Sequence, residues 1–342
     1  MSAPPAGTKA TAALVTVVCA TRNARAAVRL TVASLLRHTT LPFRLLVADN
    51  GSTDGTLEDL QAIAGARVFS LPERQADLAR RAAWQHQVLA RLDERRPRAA
   101  IGDGPAAGAV VARGREALGA GRRVGHAGGP AGPWGDDGLV TLHGTTLDWL
   151  CDRVTTPFTV TLDSDVEILD PRWLPEMLSL MERQQLVALG PYEPGKGGYQ
   201  ARLAPHLLVL RTEEVRTLGT SFLGGTTTAD PEERRRWEQR RPSFAVGLRD
   251  LAGYPTTTVY PTGAVLFQTM VARQMRWQAL PPELAATFHH FGHMSWGGAD
   301  DDDGGDPAVR ADHATVANDV HERWLAQDYR WPPSRNVACA SV

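Results

Sequence analysis

Lysine is almost missing from this 342-residue chain: Lys9 and Lys196 are the only two, so arginine carries the basic charge. With abundant alanine and glycine, that bias points to GC-rich coding and not to a function. Net charge is also small, at −1, which excludes a partner held by bulk electrostatics, such as nucleic acid or a charged membrane surface. Cysteine is limited to Cys19, Cys151 and Cys339, an odd number with neither metal spacing nor a disulfide framework. Such usage fits a reducing compartment, and a cytoplasmic location is expected. No apolar run approaches the roughly 20 residues of a membrane span. Residues 1–13 have no apolar signal core and read as a short disordered lead.

What is present is a repeating strand–helix pattern. Leu14–Ala20 reads as a buried strand, followed by a helix with Val28, Val32, Leu35 and Leu36 on one face. Phe43–Ala48 is a second strand, and the turn-rich run Asp49–Gly55 leads to a helix carrying Leu57, Leu60 and Ala64. Ser52, Thr53 or Asp54 can cap that helix. Ala66–Leu71 completes a β-α-β-α-β series, the pattern of a parallel sheet. In open sheets of that kind, ligands bind at the carboxyl ends of the strands. The polar clusters Thr21–Asn23, Asp49–Asp54 and Asp163–Asp165 all fall at such ends.

The last cluster organises the rest. Phe158–Leu162 is short, apolar and β-rich, and it runs into Asp163-Ser164-Asp165. Two carboxylates two residues apart at a strand end point the same way. They are hard oxygen ligands for a divalent cation that also holds phosphate oxygens. A solvated turn is the alternative reading, since aspartate and serine favour turns. His289, His290 and His293 cluster later, and imidazole suits Mn²⁺ or Zn²⁺. Here the alternative is an aromatic-polar loop.

Between these landmarks, Glu73–Arg96 reads as a charged helix. Residues 97–138, rich in Gly, Ala, Pro and Arg, read as a mobile insertion. Leu147, Leu150, Cys151 and Val154 mark a helix that packs on the sheet. Asp170 with Pro171 is expected to start the next helix, whose buried face is Leu174, Met177, Leu178 and Met181. Leu186–Gly190, Ala204–Leu210 and Thr258–Phe267 read as strands, and Asp230–Arg241 as a solvated helix. Asp300–Asp303 is an acidic loop, and Val309, Val316, Val320 and Trp324 support a C-terminal helix.

Three blocks together, Val15–Asn23, Leu46–Gly55 and Leu162–Val166, resemble the N-terminal half of a family 2 glycosyltransferase. The resemblance covers roughly residues 14–71 and 139–190. It implies a GT-A fold: an α/β, Rossmann-like, mostly parallel central sheet flanked by helices, with a C-terminal acceptor-side part. The division it implies is 14–190 for the nucleotide-sugar half, 191–298 for the acceptor half, and 299–342 for the acidic loop and last helix.

The resemblance also implies roles. Thr21, Arg22 and Asn23 line the nucleotide; Asp49, with Asn50 and Ser52, contacts base or ribose. His143 falls where a helix start faces the donor sugar. Asp163 and Asp165 match the metal motif, with Mn²⁺ or Mg²⁺ as cofactor: Asp165 is the direct ligand, Asp163 lies closer to ribose and metal-bound water, and Ser164 joins Asp163 in binding the nucleotide-sugar. His293 completes the metal site, with His290 as its substitute. No Glu-Asp pair stands where an inverting member carries its base, so Asp250 is the candidate, beside Glu213 and Glu214.

The implied activity is transfer of a sugar from a UDP-, GDP- or dTDP-sugar to a hydroxyl or amine of a small-molecule acceptor, compatible with secondary metabolism. Two other readings stay open. One is a sugar-phosphate nucleotidyltransferase, although no Gly-rich, Lys-bearing loop follows the first strand. The other is a non-catalytic nucleotide-sugar-binding module.

Overall fold

Seven strands form one sheet between two helical layers, and the central strands carry buried apolar side chains on both faces. The computed structural model describes residues 13–94, 142–195, 198–219, 221–228, 230–240, 255–292 and 307–333. The expected insertion at 97–138, Lys196, Asp250, His293 and the acidic run 300–303 lie outside them.

The first half alternates as expected: β1 (Val15–Thr21), α1 (Arg25–His38), β2 (Phe43–Asp49), α2 (Thr56–Gln61), β3 (Ala66–Phe69), α3 (Leu71–Glu94) and α4 (Leu142–Cys151). Next come β4 (Phe158–Leu162), β5 (Val166–Ile168), α5 (Trp173–Gln184) and β6 (Ala188–Gly190). The second half holds β7 (Tyr192–Glu193), β8 (Arg202–Leu203), β9 (Leu207–Arg211), α6 (Thr212–Thr217), β10 (Gly225–Thr228) and α7 (Pro231–Arg240). It ends with β11 (Thr257–Tyr260), α8 (Ala264–Ala272), β12 (Trp277–Ala279), α9 (Pro282–Ala285), β13 (Phe288–His290) and α10 (Pro307–Ala326).

The sheet order is β12-β6-β9-β4-β1-β2-β3. All pairings are parallel except those of β9, which runs antiparallel to β4 and β6. This is the α/β, mostly parallel sheet expected of a GT-A arrangement. Because β1 pairs β2 on one side and β4 on the other, the strand order reverses beside it. Such a switch point leaves a crevice at the strand carboxyl ends.

Alternation along the strands splits the core in two. Val15, Val17, Val47, Val160 and Leu162 pack with α1 and α5, whose Val28, Leu35, Trp173 and Met177 are fully buried. Val18, Leu46 and Leu208 pack on the other face with Leu78, Leu147, Leu150 and Leu266. Each such side chain stabilises the fold by roughly 1.5–3 kcal/mol relative to exposure.

Two expected elements differ. Thr258–Phe267 is not one strand: it is β11, a turn, and then α8. The turn is set by Gly263, whose φ of 89° is in the left-handed region and starts the helix. Asp170 does not cap α5, which starts at Trp173 behind Arg172. Its carboxylate accepts the Arg172 amide at 2.8 Å, closing a turn one step earlier.

Short β5 is tied in on both edges. It pairs antiparallel with β13, and on the other side Thr31 Oγ1 and Ser34 Oγ of α1 accept the amides of Val166 and Ile168 at 3.1 and 3.0 Å. The C-terminal α10 docks on α1 through Val320, with Tyr329 beyond it, against Leu30 and Ala33.

Candidate active site

The β1–β2 register sets Thr21 beside Asp49 at the carboxyl rim. Both are buried. The Asp49 carboxylate accepts the amides of Gly51 and Ser52, each at 3.0 Å, and the Ser52 hydroxyl. Ser52 Oγ in turn accepts the Asn23 amide at 2.9 Å, and Asn23 Oδ1 accepts the Thr53 amide at 2.8 Å. The loops after β1 and β2 are therefore one hydrogen-bonded unit. Asn23 holds φ at 45°, a conformation asparagine tolerates better than most residues. Arg22 lies half-buried in the same loop.

Behind this unit stands a residue that the sequence did not single out. Arg74 of α3 is fully buried and donates to the Asp49 carbonyl and, at 3.1 Å, to Asn50 Oδ1. Thr146 of α4 donates to the same Asn50 oxygen at 2.9 Å. Burial lowers the Arg74 guanidinium to about 10, although nearby Asp49 opposes the shift.

Across the switch point, Asp163, Asp165 and His290 each offer a ligand atom within 4.8 Å of the others. Asp163 directly follows β4 and faces His143, whose Nε2 lies 3.3 Å from Asp163 Oδ1. His143 stands in the first turn of α4, so the positive end of that helix dipole also faces the rim. Asp165 is 2% exposed, and its Oδ1 lies 3.4 Å from His290 Nε2. The antiparallel pairing of β5 with β13 sets His290 opposite Val166, next to Asp165.

Electrostatics follow from these contacts. Burial alone would raise the Asp163 carboxyl, but His143, His290 and His206 together hold it below the usual carboxylate range. Burial disfavours a charged His290, yet the Asp165 hydrogen bond and the charges of Asp163 and Glu193 raise its pKa. His206, a second residue without a sequence signal, stacks on His290 with centroids 4.1 Å apart and planes 17° apart. Burial and the charge of His290 lower the His206 pKa to about 4.

Two carboxylates and an imidazole make a donor set suited to Mn²⁺, and with less preference to Mg²⁺. Asp163 Oδ1 is buried with the His143 imidazole 3.3 Å away, and the neighbouring Thr21 and Ser164 hydroxyls are buried with no hydrogen-bond partner among the described residues. A cation with a polar ligand in the crevice fits such a set of unused oxygens.

Residues 16–92 match the model described as Glycosyl transferase family 2. Over that stretch the chain is similar to family 2 glycosyl transferases. The match runs from β1 into α3, so it holds Thr21–Asn23 and Asp49–Ser52 and stops short of His143, Asp163 and Asp165. Among solved structures, the chain is similar to S. aureus TarS 1–349, with 14% identity over 73% of this chain and 60% of that one, and a TM-score of 0.35. With the same protein in complex with UDP-GlcNAc, identity is 12% over 91% and 72%, and the TM-score 0.33. Glucosyl-3-phosphoglycerate synthase from Mycobacterium tuberculosis, in complex with Mn²⁺, UDP and phosphoglyceric acid, gives 16% over 59% and 57%, with a TM-score of 0.32. The chain thus spans about 60% of the length of the TarS piece. No curated protein matches it.

The structure brings Thr21, Asn23, Asp49, Asn50 and Ser52 together on one side of the crevice. It gathers His143, Asp163, Asp165 and His290 on the other. Glu213 and Glu214 do not join them. They are exposed on α6, which begins beside Pro157 at the opposite end of the sheet: the Thr212 amide donates to the Pro157 carbonyl at 2.9 Å. That removes both as acceptor bases.

Proposed function

We propose that this chain is a metal-dependent glycosyltransferase that moves a sugar from a nucleotide-sugar donor to a hydroxyl or amine of a small-molecule acceptor. The observation that carries the reading is the convergence of Asp163, Asp165 and His290 within 4.8 Å, at the carboxyl rim of the strand-order switch. The family match over the adjoining loops supports it.

Asp163, Asp165 and His290 would hold Mn²⁺ or Mg²⁺, and the cation would offset the charge that develops on a leaving diphosphate. The chain's own groups do the rest. The Asp49–Ser52 unit, stiffened by Arg74 and Asn50, presents Thr21–Asn23 as a fixed wall for the nucleoside. His143, at the head of α4, faces the diphosphate and donor sugar and adds a donor beside the helix dipole. An inverting transfer needs a side chain within hydrogen-bond reach of the acceptor proton. Asp250 is the residue we propose for it, and His293 is proposed as a further metal-site histidine.

A screen of UDP-, GDP- and dTDP-sugars with Mn²⁺ and with Mg²⁺, reading released nucleoside diphosphate, tests the proposal. Metal-dependent diphosphate release from one donor class is the expected result. Pyrophosphate release instead would identify a nucleotidyltransferase, and binding without turnover a sugar-nucleotide-binding module. Either would overturn it.

A further inference from the structure

We propose that His206 is a positioning residue that clamps the His290 imidazole and thereby tilts the metal site toward Mn²⁺ over Mg²⁺. This rests on the reading of Asp163, Asp165 and His290 as the metal site.

His290 ends β13, a strand of three residues that pairs with β5. Strand pairing fixes its backbone but leaves its side-chain torsions to packing. The ring that packs against it is His206, stacked at 4.1 Å and nearly parallel. Phe288 closes the same side, its ring 6.1 Å from that of His206. With one face covered, the His290 ring is held in the plane that directs Nε2 at Asp165.

His206 is itself anchored. Its carbonyl accepts the Asp163 amide at 3.0 Å, and the Pro205 carbonyl accepts Thr161 Oγ1 at 2.6 Å. One turn before β9 therefore grips the metal motif twice. The backbone fixes Asp163, and the side chain fixes His290. Only the second arm depends on the identity of residue 206.

The consequence for metal choice follows from ligand chemistry. Mg²⁺ prefers oxygen and retains its waters, so an imidazole contributes little to its binding. Mn²⁺, a first-row transition ion, takes an imidazole nitrogen more readily than Mg²⁺ does. Loosening His290 should weaken Mn²⁺ and leave Mg²⁺ close to unchanged.

The test is titration of the full chain with Mn²⁺ alone and with Mg²⁺ alone, following free Mn²⁺ by electron paramagnetic resonance and both metals by calorimetry. Removing a group that orients a ligand costs roughly 10–100-fold in metal affinity. His206→Ala is expected to lose Mn²⁺ affinity in that range with a much smaller change for Mg²⁺. His206→Leu, which keeps the volume without a planar ring, should behave like it and serves if the alanine variant does not fold. His206→Phe restores a stacking face and should bind Mn²⁺ nearly as wild type does. Wild-type Mn²⁺ affinity in both the alanine and leucine variants, equal losses for both metals, or a phenylalanine variant as weak as alanine would each overturn the clamp. Asp165→Ala and His290→Ala separate the two levels. If they lose Mn²⁺ while the His206 variants do not, the clamp fails alone. If they bind Mn²⁺ normally, the metal-site reading fails and the clamp with it.

Discussion

Asp163 and Asp165 are two residues apart and have different surroundings. Asp163 is partly open to the crevice and faces His143, whereas Asp165 is 2% exposed and faces His290. Asp165 also carries a structural contact, since its carbonyl accepts the Phe291 amide at 3.0 Å. That bond belongs to the backbone and survives substitution. Asp165→Ala is therefore expected to keep the fold and to lose nearly all metal-dependent transfer, as measured by nucleoside diphosphate release beside a circular-dichroism spectrum. A different carboxyl sets a pH dependence. Asp148 of α4 accepts Gln85 Nε2 at 2.7 Å and the Phe222 amide at 2.8 Å. Burial raises its pKa from 3.8 to about 7, and Arg81 offsets only part of the shift. Between those values the folded chain keeps a proton that the unfolded chain has released. Its contribution to stability therefore falls as pH rises from about 4 to 7 and levels off above. Asp148→Asn removes the titration, whatever its fixed hydrogen-bond cost. The unfolding free energy of wild type, relative to Asp148→Asn, should decline across that window in denaturant titrations.

At the scale of elements, the C-terminal helix is a brace for β5, the strand that follows Asp165. Glu167, two residues after Asp165 on β5, is fully buried. It accepts Arg323 Nε of α10 at 2.8 Å and the Tyr329 hydroxyl at 3.2 Å. Arg37 of α1 pins the turn beyond α10 by donating to the Gln327 and Asp328 carbonyls and lying 4.2 Å from the Tyr329 ring centroid. A buried carboxylate that loses a charged donor is costly to leave unpaired. Because Arg323 is partly exposed, water can replace some of the contact. Arg323→Ala should destabilise the chain by roughly 1–3 kcal/mol in chemical denaturation. Its period-3.6 stripe made this helix legible in the sequence, as it did α1 and α5. Its partner was not legible, because Glu167 sits in a three-residue strand with no pattern of its own. The misreading at Thr258–Phe267 has a related cause. The residues on either side of Pro261-Thr262-Gly263 are mostly buried and have no period to separate strand from helix, and that turn, with left-handed Gly263, is what divides them.

At the scale of the whole molecule, the site draws on residues 21–23, 49–52, 143, 163–165, 206 and 290, and only the sheet brings them together. Motif runs were readable where one loop supplies several groups, as at Asp49–Ser52 and Asp163–Asp165. Arg74 and His206 were not, because each meets the site through long-range packing and neither belongs to a local run. The same dispersal has a thermodynamic consequence. A cation held by Asp163, Asp165 and His290 would tie the first half of the chain to residues near 290, so it would bind the folded state and have no comparable site in the unfolded one. Such a ligand at a hundredfold excess over its dissociation constant stabilises by about 2.7 kcal/mol. Mn²⁺ should therefore raise the thermal midpoint in a concentration-dependent way, and EDTA should reverse the gain. Asp165→Ala and His290→Ala should lose the response, whereas Arg323→Ala, lower in midpoint from the start, should keep it. A nucleoside diphosphate that shares the cation should shift the midpoint further with Mn²⁺ present than in EDTA, because favourable coupling between two ligands is reciprocal. Equal shifts in Mn²⁺ and in EDTA would mean that the nucleotide and the cation occupy uncoupled sites, and that the carboxylate pair is not the bridge between them.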